Sequence, residues 1–408
     1  MYLSAAALVM GLSWIPSIGL GGLGFIFLME VWAANPRLEE VQGTTGFTSR
    51  PRTTVLVPAH NEAADIAVTV QSLLGELQHG DRLIVIADNC GDRTAEAARQ
   101  AGALVLERTD PVQKGKGYAL DYGLKFLEKD PPEMVVFMDA DCTVRPGSIG
   151  ILAQTAWELQ RPVQSTYLME QPAEATLRDQ ISAFAITLKN LVRPLGMKAL
   201  GWPCLLTGSG MALPWSLLAP ISLAGNRNAD DMQLTVDLAL QGMSPMYEPR
   251  SQVMGRLMRA EDAYSQRTRW EHGHLRMILT QVPRLLKAML VQRRFDLLIL
   301  ACDLAIPPLS LFVLLWIGIA FLNLGALSVG LVNPLSFIFS FLAGLPIVLG
   351  VWMAWHRFGR TLLPSQHWKE IPSYLLWKAP IYLKFMTRPQ TRWLKTERDG
   401  ERSANRSD

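Results

Sequence analysis

Between about Pro51 and Tyr167, short apolar runs alternate with segments of helical periodicity, which predicts a parallel α/β sheet. Thr53–Val57 reads as the first strand, ended by Pro58. Leu83–Ala87 is the second, ended by the polar run Asp88-Asn89-Cys90-Gly91-Asp92. A helix then runs to about Gln100, with Gly102 placed to cap it. Ala103–Leu106, Met134–Met138 and Val163–Leu168 read as the third, fourth and fifth strands. Further on, Met232–Leu240 reads as a helix opened by Asp230-Asp231, and Gln266–Trp270 lies on another.

Toward both ends the pattern changes character. Met1 to Met29 holds no charged residue and no histidine, about the length needed to cross a bilayer. A cleaved signal peptide would need a basic start and a small-residue cleavage site, and neither is evident. Leu297 to Trp355 is apolar apart from Asp303 and is long enough for two crossings, separated near Asn323 to Asn333. Basic residues gather at Arg37, Arg50 and Arg52, at Arg293 and Arg294, and at His356, Arg357 and Arg360. The positive-inside rule then puts the N-terminus outside and both Arg37–Arg294 and the C-terminus in the cytoplasm. Ile371 to Phe385 is apolar but short and carries Lys378 and Lys384, as an interfacial helix does.

The expected organisation is therefore a membrane helix over 1–33 and a cytoplasmic domain over 50–292. Two membrane helices over 296–356, an interfacial helix over 371–386 and a basic tail over 387–408 follow. That tail either touches anionic lipid or is a solvated end. A charged group within lipid is costly, so Asp303 is a functional candidate, although its nearness to the cytoplasmic edge also permits local hydration.

The length of 408 residues allows two or three domains, and the 49% hydrophobic content fits the membrane reading. A net charge of only +3 gives no indication of a nucleic-acid partner. Four scattered cysteines without C-x-x-C spacing predict unpaired thiols in a reducing cytoplasm.

Candidate chemistry sits at the strand ends. Asp139-Ala140-Asp141 closes the fourth strand and puts two hard oxygen donors at the sheet's carboxyl edge, which suits Mg²⁺ or Mn²⁺ holding a diphosphate. His60-Asn61-Glu62 after the first strand offers contacts to a base or ribose, or else Asn61 caps a helix. Asp88 and Asp92 divide in the same way between nucleotide contact and an Asx-turn with a helix cap. Lys114-Gly115-Lys116-Gly117 before a helix can hold phosphate, but it lacks the Walker A pattern of an ATPase. Asp230-Asp231 suits a helix N-terminus on dipole grounds alone. Arg269 and Trp270 would also serve as interface anchors. His272 and His274, two apart, do not share a helix face, so they are not a metal pair.

Taken in order, these elements resemble the membrane-bound family 2 glycosyltransferases with a GT-A domain, such as cellulose synthase-like and poly-N-acetylglucosamine synthase-like enzymes. The resemblance runs from Val57-Pro58-Ala59-His60-Asn61-Glu62 to the membrane helices. It implies a GT-A fold with a mainly parallel sheet and about three transmembrane helices. Nucleotide-sugar contacts would come from Pro58, Asn61, Glu62, Asp88, Lys116 and Asp139, and metal ligands from Asp141 and Asp139. Asp231 falls at the catalytic base, while Gln266, Arg269 and Trp270 match the Q-x-x-R-W signature. Gly208 and Ser209, in Thr207-Gly208-Ser209-Gly210, match the loop beside the acceptor, and Asp230 joins that side. Two departures stand out: Asp230-Asp231 replaces a Glu-Asp pair, and three helices are fewer than polymer-secreting relatives use.

The implied activity is inverting sugar transfer from a nucleotide sugar, expected to be UDP-linked. The acceptor would be a saccharide or lipid-linked molecule, in envelope polysaccharide or glycolipid synthesis at the cytoplasmic membrane. Arg269 would add a fixed cation to the leaving diphosphate, Asp231 would take the acceptor proton, and Trp270 would stack on an acceptor sugar. A nucleotidyltransferase also uses paired aspartates, and a nucleotide-sensing scaffold could keep the fold without turnover. Q-x-x-R-W after an acidic pair disfavours the first, and the full set of carboxylates disfavours the second.

Overall fold

The computed structural model describes residues 2–36, 50–172, 174–225, 230–256 and 260–387. The expected basic tail beyond Thr387 and the side chain of Asp230 lie outside the described set.

Eight strands form one sheet: β1 Thr53–Ala59, β2 Arg82–Asp88, β3 Leu104–Arg108, β4 Met134–Phe137, β5 Thr143–Val144, β6 Val163–Glu170, β7 Met211–Pro214 and β8 Met246–Arg256. Their order is β3-β2-β1-β4-β7-β6-β8-β5. The first four are parallel, β7 is antiparallel to both β4 and β6, β6 and β8 are parallel, and β5 closes the edge antiparallel to β8. The chain winds outward from β1 to β3 and then returns to β4 on the other side of β1. This reversal creates a crevice at the carboxyl ends of β1 and β4, the place where open α/β sheets bind ligands.

The apolar runs form strands because both sheet faces are covered. Val55, Val57, Val85 and Val136 pack on one side with Ile66, Val70 and Leu73 of helix Ile66–Leu74 and with Leu152 of helix Ser148–Leu159. Leu56, Ile84, Ile86 and Phe137 pack on the other with helices Lys116–Leu127 and Asp230–Leu240, through Leu124, Leu127, Leu234 and Leu238. The result is a three-layer α/β/α domain.

Among the described residues three helical stretches are long and apolar enough to cross a membrane: Trp14–Ala33, Leu309–Ser328 and Pro334–Gly359. They pack closely. Phe27 lies edge-on to Phe312 at 6.2 Å, and Trp14 stacks on Phe339 at 4.8 Å. The second of these stretches starts later than the sequence suggested. Phe295–Ala305 is a separate helix, ended by Ile306-Pro307-Pro308, where two prolines cannot continue the backbone hydrogen bonding. Leu297, Leu300 and Leu304 bury it in a cluster with Leu285 of the long helix Ala260–Gln292.

Asp303 is therefore not a lone charge within a span. It lies on that buried helix and accepts from Arg193, whose Nε also reaches Glu30 Oε2 of the first candidate span at 2.6 Å. Arg193 opens helix Arg193–Ala199, which lies directly on the first candidate span. A Cβ added to Gly196 would fall 1.7 Å from the Glu30 carbonyl oxygen, so only glycine permits this approach. The ion trio locks catalytic domain, first span and Phe295–Ala305 together; removing the arginine would strand two buried carboxylates.

The last described helix, Ile371–Thr387, matches the expected interfacial segment in extent. Its outer face exposes Leu376, Leu383 and Met386, whereas Tyr374, Lys378 and Ile381 are buried against the rest of the protein. It is thus more than a surface anchor.

Candidate active site

The carboxyl edge of the parallel strands is built from tightly held turns. Asn61 after β1 and Asn89 after β2 both have left-handed backbones, with φ of 55° and 52°. Asparagine tolerates this region better than most residues. The Asn61 side-chain oxygen accepts from the Gly91 N–H at 2.8 Å, tying the two turns together. Asn61 is no helix cap, since the next helix starts at Ile66. The Glu62 N–H donates to Thr94 Oγ1 at 2.7 Å, and His60 Nδ1 lies 2.7 Å from the Asp88 carbonyl. Asp88, nearly buried, receives Arg108 Nη1 at 2.6 Å and Asn89 Nδ2 at 3.0 Å. Asp92 takes the structural alternative: its Oδ1 accepts from the Thr94 N–H at 3.0 Å, before helix Thr94–Gln100. Pro58 remains within β1, paired in register with Ile86.

Asp139 and Asp141 follow β4, and the neighbouring Cys142 brings its sulfur into the group; one ligand atom from each lies within 4.8 Å of the others. Burial, reinforced by the two carboxylates, pushes the Cys142 thiol well above its ordinary range. It therefore stays protonated and leaves an all-oxygen donor pair, which fits a hard divalent cation. Lys116, the first residue of helix Lys116–Leu127, pairs with Asp139 and donates to the Gly208 carbonyl at 2.7 Å. Burial alone would lower its pKa, but the Asp139 carboxylate overrides this and raises it.

The Thr207–Gly210 loop joins this cluster to Asp231. Ser209 Oγ accepts from the Asp139 N–H at 3.1 Å. Gln164, a buried polar residue in β6, straps the loop from beneath, donating to the Ser209 carbonyl at 2.8 Å and accepting from the Thr207 N–H at 2.9 Å. Gly208 faces Asp231: a Cβ there would lie 3.4 Å from Asp231 Oδ2 and 3.8 Å from Lys116 Nζ, and its φ of +93° also demands glycine. Lys116, Asp139, Asp141, Gly208, Ser209 and Asp231 are thus brought together.

Asp231 stands in the first turn of helix Asp230–Leu240, its Oδ1 accepting from the Met232 N–H at 2.9 Å. Burial raises its pKa, and Lys189, that N–H and Lys116 offset this only in part. Lys189 belongs to a π-helical turn, Leu188–Val192, between two α-helical pieces. Wide turns of this kind recur at functional sites. Its flanking residues are buried while its own side chain reaches solvent. Surrounding protein lowers the Lys189 pKa against the pull of Asp231.

Gln266, Arg269 and Trp270 lie on helix Ala260–Gln292, which runs parallel to the Asp231 helix. Arg284 Nη1 meets Asp237 at 3.0 Å and Gln292 meets the Leu240 carbonyl at 3.3 Å. Trp270, earlier on the same helix, is 37% exposed. His272 and His274 each face a backbone carbonyl, Ile381 at 2.9 Å and Leu304 at 3.0 Å. Burial pushes His274 down to about 3, so it stays neutral and structural.

Gln164, Lys189, Thr94 and Arg108 were not foreseen. Gln164 leaves no distinct trace in the sequence, since it stands beside Ser165 and Thr166 in the same strand.

Comparison with known proteins follows this geometry. Residues 51–273, more than half the chain, match the family described as "Glycosyltransferase like family 2". The low-salt glycan biosynthesis hexosyltransferase Agl6 of Haloferax volcanii is 35% identical over 97 residues, 23% of this chain and 22% of the relative. The probable glycosyltransferase YdaM of Bacillus subtilis is 34% identical over 101 residues, 23% of each. The matched stretch thus spans less than a quarter of either curated relative. Among solved structures, the mannosyltransferase PcManGT from Pyrobaculum calidifontis, in complex with GDP-Man and Mn²⁺, superposes with a TM-score of 0.52 at 16% identity. That superposition covers 93% of this chain and 99% of the other.

Proposed function

The chain belongs to glycosyltransferase-like family 2 and has the GT-A fold, and we propose that it is an inverting, metal-dependent hexosyltransferase of the cytoplasmic membrane. It would move a sugar from a nucleotide diphosphate, UDP-linked by preference, to a saccharide or lipid-linked acceptor. One observation carries the reading: Lys116 and the Gly208 loop bind the Asp139 pair and the Asp231 carboxylate into one cluster at the sheet's switch point.

The jobs divide by chemistry. Asp139 and Asp141 would hold Mg²⁺ or Mn²⁺, which when bound offsets the charge growing on the leaving diphosphate. Arg269 would add a guanidinium donor to the same phosphates. Asp231 would accept the proton of the acceptor hydroxyl as that oxygen attacks the anomeric carbon from the face opposite the leaving group. Its raised pKa suits a base better than an ordinary carboxylate does. Trp270 would present its ring to an acceptor sugar.

Packing supports a common face for two of the helix ends. Arg357, at the end of the third candidate span, donates to the carbonyls of Val31, Trp32 and Ala34 at 3.1–3.3 Å, where the first span ends. Both ends therefore share one face, as expected for a cytoplasmic catalytic domain.

The test is to incubate membranes holding the full chain with labelled UDP-glucose, UDP-N-acetylglucosamine and GDP-mannose, then partition product between lipid and polymer. Release of a nucleoside diphosphate with one donor, lost on chelation and restored by Mg²⁺ or Mn²⁺, is expected. Release of inorganic diphosphate would mark a nucleotidyltransferase, and no turnover with any donor would favour a silent scaffold.

A further inference from the structure

The turn bearing Gln266, Arg269 and Trp270 is gripped from outside by helix Ile371–Thr387. Lys378 is buried and its ammonium pairs with Glu271, the residue after Trp270. Next along, His272 meets the Ile381 carbonyl at 2.9 Å and lies edge-on to Phe385 at 5.3 Å. On the near side, Tyr264 packs edge-on to Trp377 at 5.8 Å, and Arg267 sits over the same ring at 5.8 Å. Contacts at 264, 271 and 272 thus bracket the signature, and the one at 267 falls within it.

Packing alone does not call for Lys378. Burying a lysine is unfavourable unless it is paired, and two apolar residues of similar volume would hold the helices at least as well. An ion pair adds direction. It fixes Glu271 at one angle about the axis of its helix, and Trp270 lies about 100° round that axis from its neighbour. Arg269 follows at about the same interval again.

We propose that Lys378 is a positioning residue for sugar transfer, acting through Glu271 to set the rotation of the helix turn that presents Arg269 and Trp270. The inference rests on the reading of Gln266–Trp270 as part of the site. It makes the last helix a working component of the enzyme.

Four full-length variants in native membranes test it, using whichever donor the three-member panel identifies: Lys378→Met, Lys378→Arg, Glu271→Met with Lys378→Met, and Trp270→Ala. Readouts are kcat, donor KM and thermal unfolding, with activity scaled to folded protein. Lys378→Met is expected to lower kcat roughly ten- to a hundredfold, the scale of a small misplacement, with donor KM unchanged. Lys378→Arg should recover most of the loss. The double variant should regain thermal stability but keep the low kcat. If Lys378→Met fails to accumulate, the double variant decides. Parental kcat in the double variant, or in Lys378→Met within about twofold, overturns the proposal. Trp270→Ala separates the two levels: an inactive variant leaves the site reading standing even if Lys378 proves silent, whereas parental activity removes both.

Discussion

The proposed donor side and acceptor side of this cluster differ in how their charges are settled. On the proposed donor side Asp88 is held by Arg108 and Asp139 by Lys116. On the acceptor side Asp231 has the Met232 N–H beside it, and burial raises its pKa. Lys189, whose side chain reaches solvent, has no ion pair among the described residues. One side is neutralised before any substrate arrives. The other leaves a carboxylate that burial disfavours, with only part of that cost offset by nearby cations. Preorganised pairs position a leaving group, whereas an uncomfortable carboxylate is ready to take a proton.

The largest test of that contrast is Asp231→Asn. Loss of a general base should cut transfer by about 10²–10⁴-fold while nucleotide binding survives. Stability should move the other way. A carboxyl whose pKa is raised on folding binds protons more readily folded than unfolded. Its presence therefore lowers stability as pH rises through and above the ordinary carboxylate range. The amide escapes this, so the variant should melt higher than the parent at neutral pH, and the gap should shrink toward pH 4. Transfer assays and unfolding curves at both pH values check it; a gap that does not change with pH would remove Asp231 from its assigned environment.

Lys116→Met comes next and probes the settled side. Asp139 would lose its cation and Gly208 its anchor, so the donor KM should rise by roughly tenfold or more, the scale of a charge-assisted contact. Because the loop from Gly208 also borders Asp231, kcat should fall too, but less than in Asp231→Asn. A variant with kcat reduced and donor KM unchanged would put Lys116 on the acceptor side.

A pH profile sharpens the comparison at smaller amplitude. If Asp231 must be ionised to act, kcat/KM should fall about tenfold per pH unit on the acid side. The bend should lie above the usual carboxylate range, in the direction in which burial moves Asp231. Lys189→Met removes the cation that most offsets this burial, so the bend should shift further upward. A downward shift would refute the pairing of these two groups.

The two sides were also unequally legible in the sequence. β1, β2 and β4 were readable because strands buried on both faces are continuous apolar runs closed by Pro or Asp. β5 has two residues and β7 four, too few for any period to register. β8 hid behind Glu248-Pro249-Arg250, a charged stretch that reads as a loop. In the fold Glu248 is buried, with Arg250 and Lys198 as partners. Asp139 and Asp141 stood out because their place at a strand end is local, and Asp231 because the family resemblance marks it. Lys189 and Lys378 did not, since each matters only through residues far away in the chain. Asp303 was misplaced for the same reason: its partner Arg193 is 110 positions away, and without it the residue looks like a solitary charge in lipid.

The smallest expected effect separates shape from contact at the first donor-side turn. Asn61 combines a left-handed backbone with a side-chain bond to the Gly91 N–H at 2.8 Å. Asn61→Ala loses the bond and worsens the backbone strain, so it should cost about 1–2 kcal/mol. Asn61→Gly loses the bond but relieves the strain, and should melt within a few tenths of a kcal/mol of the parent. If the amide only shapes the turn, the glycine variant will keep the parental donor KM. If it also touches the nucleotide, both variants will raise donor KM equally although only one is destabilised. Unfolding curves read beside donor titrations tell these apart, because strain appears in the first measurement and ligand contact only in the second.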